Sequence, residues 1–384
     1  MILESNKPTS KLKITFFSAL PPFRGGISNF SELLLEQLEK IAVVQPFTFI
    51  KQYPDILFPG KTQLNEQNTR IFPRIVSTFN PISYLSARKK MKESRPDIFL
   101  TNYWMTFFGP MMAFFAKGFN KNVKKIAIIH NLIPHEKRFF DAFFNRIFLS
   151  QYDGFIVLSE SVKDEVISIR NDAYCIVLKH PPYNQFGLKL NRRECIQKLG
   201  LNPERKTLLF FGLIREYKGL DVLLKSFSLL DESYQLIIAG EVYGSDEKYR
   251  ALINTSQNKN ILFVNNFISD DQVSLYFSAA DLCVLPYKTA TQSGIKAIAD
   301  SFQIPVLMTN VGGLAESILP NETGFVIESN EPIKLVSQIK SIFESDFLEK
   351  VTSNLEHEKL SEGNKWHLFA EDLMNFCKKL KSQR

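Results

Sequence analysis

The chain has 384 residues, 45% of them apolar and 23% charged, and its 47 Lys and Arg against 40 Asp and Glu leave a net charge of +7. At about 150 residues per domain the length holds two or three domains, and so ordinary a composition excludes a disordered, collagen-like or coiled-coil chain. The positive excess suits an anionic ligand or an anionic membrane surface and is too diffuse to point to nucleic acid.

The segment from Met1 to Lys11 is polar and has no apolar signal core. Cys175, Cys195, Cys283 and Cys377 lie scattered without C-x-x-C spacing. That argues against a zinc knuckle or a disulfide framework and fits a reducing cytosol. Lys13–Ser18 reads as the first strand, followed by Gly25-Gly26-Ile27-Ser28. Asn29–Lys40 then reads as a helix with Asn29 at its N-cap and Glu32 three residues on. Ile98 to Ala116 carries no charge and is long enough for a membrane span. Thr101, Asn102, Thr106 and the Gly109-Pro110 break make a buried strand, a loop and a helix the expected reading. Lys125–Ile129 and Gly154–Leu158 are further short apolar runs. Between them Phe139, Phe140, Phe143, Phe144 and Phe148 crowd one predicted helix, interleaved with Lys137, Arg138 and Arg146. A core helix flanked by surface charge is expected there, the alternative being an interfacial helix on an anionic membrane.

His180-Pro181-Pro182-Tyr183 and the polar stretch to Asn202-Pro203 read as a linker. Beyond it, Leu208–Phe211, Leu236–Ala239, Ile261–Val264, Leu282–Leu285, Val306–Thr309 and Gly324–Ile327 are strands. Leu220, Leu223, Leu224 and Phe227 fall on one helical face, and Ser269-x-x-Gln272 is a capping box opening a helix to Ala280. The alternation predicts an α/β fold with parallel sheets covered on both faces. Two Rossmann-like domains, residues 1–185 and 186–363, would face each other across a cleft.

Four small-residue loops fall at strand carboxyl ends, where doubly wound sheets bind ligands. Gly25-Gly26-Ile27-Ser28 lets a ligand approach the backbone and offers free helix N–H groups to an anion. It is neither G-x-G-x-x-G nor a Walker loop, and a glycine turn without a ligand is the alternative. Arg215-x-x-Lys218-Gly219 follows a buried strand. Arg as a planar fork and Lys as a point charge can clamp a diphosphate, unless the loop is merely solvated. Thr291-Gln292-Ser293-Gly294 makes a second N-terminal anion nest. Asn310-Val311-Gly312-Gly313-Leu314-Ala315-Glu316 adds close backbone approach and a carboxylate for ribose or sugar hydroxyls. Together they point to one phosphate-rich ligand. His130-Asn131 ends a strand, with His135 shortly after. A His in that position orients or polarises a sugar hydroxyl, or is a satisfied buried His. His180, His357 and His367 lack metal-ligand spacing, and no G-x-S-x-G or H-E-x-x-H appears, which excludes serine hydrolases and zincins.

In order, Pro21-Pro22-x-x-Gly25-Gly26, His130-Asn131-x-x-Pro134-His135-Glu136, Phe211-Gly212-x-x-Arg215-x-x-Lys218-Gly219, Ala239-Gly240-Glu241, Ala279-Ala280-Asp281-x-x-x-Leu285-Pro286-Tyr287, Gln292-Ser293-Gly294, Pro305-Val306 and Gly312-Gly313-Leu314-x-Glu316 resemble the glycosyltransferases of family four, with the two-Rossmann GT-B fold. The resemblance implies transfer of a hexose-type sugar, with retained configuration, from a UDP- or GDP-sugar to a glycan or lipid-linked acceptor. It implies no metal or other cofactor and no nucleic-acid partner. It implies catalytic roles for Arg215, Lys218 and His130. Donor contacts would come from Gly25, Gly26, Gly212, Glu241, Phe267, Gln292, Ser293, Gly294, Gly313, Leu314 and Glu316, and acceptor contacts from Asn131 and His135. The C-terminal helix, residues 364–384, would cross back to the first domain. The expected setting is surface polysaccharide or glycoconjugate synthesis, in the cytoplasm or peripherally on the inner face of the membrane.

One departure stands out. The usual pattern has two glutamates separated by seven residues, the second seven residues before a Pro. Counting back from Pro305, those places hold Ile298 and Ala290. Asp300 lies two residues from the second place, a rotation of about 200° on a helix, and is not its substitute. A subgroup carrying Thr-Gln-Ser-Gly in this region is similar. The departure leaves a catalytically lapsed nucleotide-sugar-binding subunit, or an epimerase on the same fold, as alternatives.

Overall fold

The computed structural model describes residues 11–53, 63–64, 70–134, 138–361 and 364–382. The first domain runs β1 (Lys13–Phe17), α1 (Gly26–Ile41), β2 (Val43–Lys51), β3 (Arg74–Ser77), α2 (Pro81–Glu93), β4 (Ile98–Tyr103), α3 (Gly109–Lys117), β5 (Lys124–Ile129), α4 (Asp141–Leu149), β6 (Gly154–Val157), α5 (Glu160–Ile169) and β7 (Cys175–Val177). Its strands pair in parallel in the order β3-β2-β1-β4-β5-β6-β7. Every residue of β4 and β6 is buried, because helices cover both faces of a parallel sheet and leave no polar side.

The second domain runs α6 (Arg192–Lys198), β8 (Lys206–Phe211), α7 (Leu220–Phe227), β9 (Tyr234–Ala239), α8 (Glu247–Thr255), β10 (Ile261–Val264), α9 (Asp270–Ala279), β11 (Leu282–Leu285), α10 (Gly294–Ser301), β12 (Val306–Thr309), β13 (Phe325–Ile327), α11 (Pro332–Glu344) and α12 (Phe347–Ser361). Its parallel sheet has the order β10-β9-β8-β11-β12-β13. In each sheet the order reverses beside the first strand, between β1 and β4 and between β8 and β11. Loops leaving those strands diverge to opposite faces and open a crevice at their carboxyl ends.

The last helix, α13 (Lys365–Ser382), lies on α1 of the first domain. Its Trp366, Phe369, Leu373, Phe376 and Cys377 are buried, and Trp366 Nε1 donates to the Pro182 carbonyl at 2.8 Å. Lys381 pairs with Asp97 at 2.6 Å.

Local details differ from the sequence expectations. Helix α1 begins at Gly26, not Asn29, because Gly25 adopts φ 107 and turns the chain straight into the helix. A residue with a Cβ reaches that region only at a cost. Asn29 lies inside the first turn, its N–H bonded to the Gly25 carbonyl. Ser269 stands at the N-cap of α9 but makes no side-chain cap bond. The charge-free run forms β4, a 3₁₀ turn at Thr106–Phe108 and α3. Among the described residues no helix is long and apolar enough to cross a membrane. The phenylalanine cluster divides: Phe148 is core, whereas Phe139 and Phe143 are 99% and 63% exposed. Phe139 and Phe140 precede α4, whose first residue is Asp141.

Candidate functional site

The site grows from the loop after β8. Gly212 sits at φ 93, and Gly240, after β9, at φ 152. A Cβ on Gly240 would lie 2.0 Å from the Gly212 carbonyl oxygen, so the two strand ends meet backbone to backbone. The chain passes Arg215, makes a 3₁₀ turn at Glu216–Lys218 and enters α7 through Gly219 at φ 70. A Cβ on Gly219 would lie 2.0 Å from the Pro286 carbonyl oxygen, which ties this loop to the one after β11.

The turn buries Lys218, only 9% exposed. Its ammonium lies 5.6 Å from the Tyr287 ring centre and pairs with no carboxylate among the described residues. Burial first, and the nearby Arg215 second, bring its pKa down to about 8. The Arg215 guanidinium lies 4.3 Å from the Tyr243 ring centre. A buried ammonium without a counter-charge is costly, and a second cation beside it adds repulsion. An anion is the chemical partner that relieves both.

Two helix N-termini flank this charge. Ser293 caps α10, its Oγ accepting from Ile295 N at 3.2 Å. A Cβ on Gly212 would fall 2.9 Å from Ile295 Cδ1 and 3.7 Å from Lys218 Nζ, so Lys218 and the first turn of α10 share one wall. Across the cleft, α1 starts without a side-chain cap, and the buried Ser28 Oγ has no partner among the described residues. Tyr183 stands between them. Its hydroxyl donates to the Gly26 carbonyl at 3.2 Å and would touch a Cβ on Gly294 at 3.7 Å. Tyr183 thus brings Gly26 and Gly294, at the starts of α1 and α10, together, and a helix N-terminus favours an anion.

His130 directly follows β5 and is 3% exposed. Its Nε2 lies 3.1 Å from Asn102 Oδ1, and its ring meets Phe30 edge-on at 4.6 Å. Burial, then His180, lower its pKa to about 3, so the imidazole is neutral. Gln292 Nε2 donates to the His130 carbonyl at 3.0 Å, and Thr291 donates to Asn131 Oδ1. These two residues of the Thr-Gln-Ser-Gly segment therefore bind the first domain. His135 lies outside the described residues.

Glu241 and Phe267 hold a residue of the opposite domain. Arg24 pairs with Glu241 at 2.6 Å, both side chains nearly buried, and its guanidinium lies 4.5 Å from the Phe267 ring centre. Glu316 spends both carboxylate oxygens on the start of α5, accepting from Glu160 N at 2.7 Å and Ser161 N at 3.0 Å. In this conformation it caps a helix across the cleft rather than facing a ligand. Gly313 makes that approach possible, since a Cβ there would lie 2.4 Å from Ser161 Oγ, and Leu314 is core beneath it. Glu316→Ala should therefore loosen the domain contact at a cost of about 0.5 kcal/mol. Faster amide exchange at Glu160 and Ser161 and a larger radius of gyration by small-angle scattering would register it. Unchanged values for both would refute the capping role.

Ala290 and Ile298 are both buried. Asp300 is bound at 2.5 Å by Lys296 and acts on Lys365 at the start of α13. Sequence reading missed Tyr53 and Trp104. Trp104 Nε1 donates to the Tyr53 hydroxyl at 3.0 Å. Desolvation pushes that phenol up to about 12 although Arg215, near enough to act on it, pulls the other way. Trp104 follows β4 at the point where the strand order reverses, the one signal that marks it.

Residues 24–177 match the Glycosyltransferase Family 4 domain and residues 191–359 match Glycosyl transferases group 1. The D-inositol 3-phosphate glycosyltransferase of Pseudarthrobacter chlorophenolicus is 26% identical over 151 residues, 38% of this chain and 36% of that protein. An uncharacterized glycosyltransferase of Methanocaldococcus jannaschii is 24% identical over 244 residues, 60% and 62% of the two chains. The matched segments span less than two thirds of these curated relatives. Among solved structures, sucrose-phosphate synthase from Thermosynechococcus elongatus superposes with a TM-score of 0.76 at 18% identity, over 97% of this chain and 100% of that one. Anabaena HepE, in complex with UDP, gives 0.70 at 14% identity over 95% and 100%. One glycosyltransferase family domain thus lies on each Rossmann-like sheet, and the chain shares the two-domain GT-B fold of its structural neighbours.

Proposed function

We propose that this protein moves a hexose-type sugar from a UDP- or GDP-sugar to a glycan or lipid-linked acceptor, with retained configuration, in surface polysaccharide or glycoconjugate synthesis. The observation that carries the reading is Lys218, a buried cation with no carboxylate partner among the described residues, beside Arg215 and the first turn of α10. As the bond to the sugar breaks, negative charge grows on the departing nucleoside diphosphate. Lys218, Arg215 and the helix N-termini oppose that charge from fixed positions, so its stabilisation requires little reorganisation. In this reading they supply the charge, and no metal cofactor is invoked. The nucleotides in structural neighbours, UDP in HepE and ADP in a starch synthase, support a nucleoside diphosphate here.

Calorimetric titration with UDP, GDP and their sugars tests the donor. One of them should bind, and no binding by any would overturn the reading. The apolar Ala290 and Ile298 favour a second reading, a nucleotide-sugar-binding subunit without turnover. Binding without sugar transfer or release would decide for it.

The acceptor side is read from Phe139 and Phe143, exposed beside the exposed Arg138 and Arg146. Aromatic side chains with adjacent cations suit an anionic lipid surface. The protein should sediment with anionic vesicles at low salt, and Phe139→Ser with Phe143→Ser should lose most of that binding. No sedimentation of the wild type would exclude the membrane contact.

A further inference from the structure

Below His130 lies a buried chain of polar groups whose proton positions follow from which atoms can donate. The Ile27 carbonyl only accepts, so the Ser31 hydroxyl, 2.6 Å away, must give it its proton. Ser31 Oγ is then an acceptor for its other neighbours. Ser18 Oγ lies 2.7 Å from it, and the proton of that bond must come from Ser18. Both hydroxyl oxygens thereby turn lone pairs toward Asn102, whose side chain approaches Ser18 at 3.0 Å and Ser31 at 2.9 Å. Only the amide NH₂ can face two acceptors, so the Asn102 oxygen faces the other way, toward His130 Nε2 at 3.1 Å. An oxygen that accepts requires a donor opposite, so Nε2 carries the proton. The other ring nitrogen, Nδ1, has no bonded partner among the described residues and is a bare acceptor.

All four side chains are held tightly. Ser18, Ser31 and Asn102 have no exposed surface and His130 has 3%. Rotating the amide would set its oxygen against the two hydroxyl oxygens, whose protons are committed to Ser31 and to the Ile27 carbonyl, leaving buried groups unsatisfied at a cost of about 1–3 kcal/mol each, and the ring would have to move its proton to Nδ1.

We propose that Asn102, oriented by Ser18 and Ser31, is a positioning residue that locks His130 in the Nε2–H tautomer, so that Nδ1 accepts and its ligand group is a hydrogen-bond donor such as a sugar hydroxyl. A phosphate oxygen, which accepts, is excluded from that position. Naming a sugar hydroxyl rests on the glycosyl-transfer reading above; the tautomer rests only on the buried chain.

Long-range ¹H–¹⁵N correlation on the full chain with labelled histidine tests it, with His130→Gln assigning the signal. Ligand-free protein should show a protonated Nε2 and a bare Nδ1. The double variant Ser18→Ala, Ser31→Ala removes both acceptors, frees the amide to rotate and should mix the tautomers. A protonated Nδ1 or mixed tautomers in the wild type, or an unaltered single tautomer in a folded double variant, overturns the inference. When the UDP- or GDP-sugar that binds is added, Nδ1 should stay unprotonated and shift upfield as it accepts a hydrogen bond. A protonated Nδ1 in that complex also overturns it. Failure of every nucleotide to bind would sink the functional reading while leaving the tautomer result standing.

Discussion

Lys218→Ala is expected to weaken binding of the nucleoside diphosphate by about 10- to 100-fold, the worth of one charge-assisted hydrogen bond to an anion. It should do so without lowering the melting temperature. The native ammonium is buried without a carboxylate among the described residues, so its removal relieves a desolvation cost and breaks no ion pair. The pH dependence adds a second signature. Lys218 in the ligand-free protein titrates at about 8, below the ordinary 10.5. Below that pH the ammonium is present and attracts the diphosphate. As pH rises through it the charge is lost, and a bound anion must draw a proton onto the amine. Affinity should therefore fall between pH 7 and 9.5 in the wild type and fall less in Lys218→Ala. Arg215→Ala should cut binding by a similar factor and move the midpoint upward, because Arg215 is the second cause of the depression. Calorimetry across that range checks all three proteins. Wild-type affinity and turnover in both variants would move the chemistry elsewhere.

Gly219→Ala is expected to cost about 2–4 kcal/mol, a large share of the 5–15 kcal/mol that holds a typical domain together. An alanine at φ 70 pays about 1 kcal/mol for the left-handed conformation. Its Cβ would also stand 2.0 Å from the Pro286 carbonyl oxygen. That atom is backbone at the end of β11 and cannot rotate away, so the loop itself must move, at about 1–3 kcal/mol. The loop carries Lys218, and nucleotide affinity should fall with stability. Gly244 provides the control. Its φ is 91 but nothing lies within 4 Å of a Cβ there, so Gly244→Ala should cost only about 1 kcal/mol. Urea denaturation midpoints separate the two. Equal losses would show that conformation alone, not the contact with Pro286, explains Gly219.

The alternation of strands and helices was legible because burial on both faces of a parallel sheet imposes continuous apolar runs, as in β4, and helices impose their own period. The expected start of α1 was wrong by three residues because the deciding feature is the backbone angle of Gly25, which composition signals only as a glycine. The Phe cluster was half legible. Its helical spacing was visible, but which rings face the core depends on what packs there.

The site shows the same division. The loop from Arg215 to Gly219 was readable as a cationic loop after a buried strand, and its sequence alone carries the two charges and the glycine. That Lys218 is buried away from any described carboxylate depends on the wall made by Gly212, Tyr287 and α10. Arg24 and its partner Glu241 lie 217 residues apart, and Glu316 reaches Glu160 over 156 residues. Contacts at such separations leave no periodicity for a sequence to display. The sequence by itself determined two parallel α/β sheets with glycine- and charge-bearing loops at their strand ends, since these follow from local period and residue type. Only the tertiary structure decided which carboxylates those loops consume on one another, and which cation and which histidine nitrogen have no carboxylate or hydrogen-bond partner among the described residues. Charge pairing and hydrogen-bond satisfaction are settled by distance in space, and chain order does not encode it.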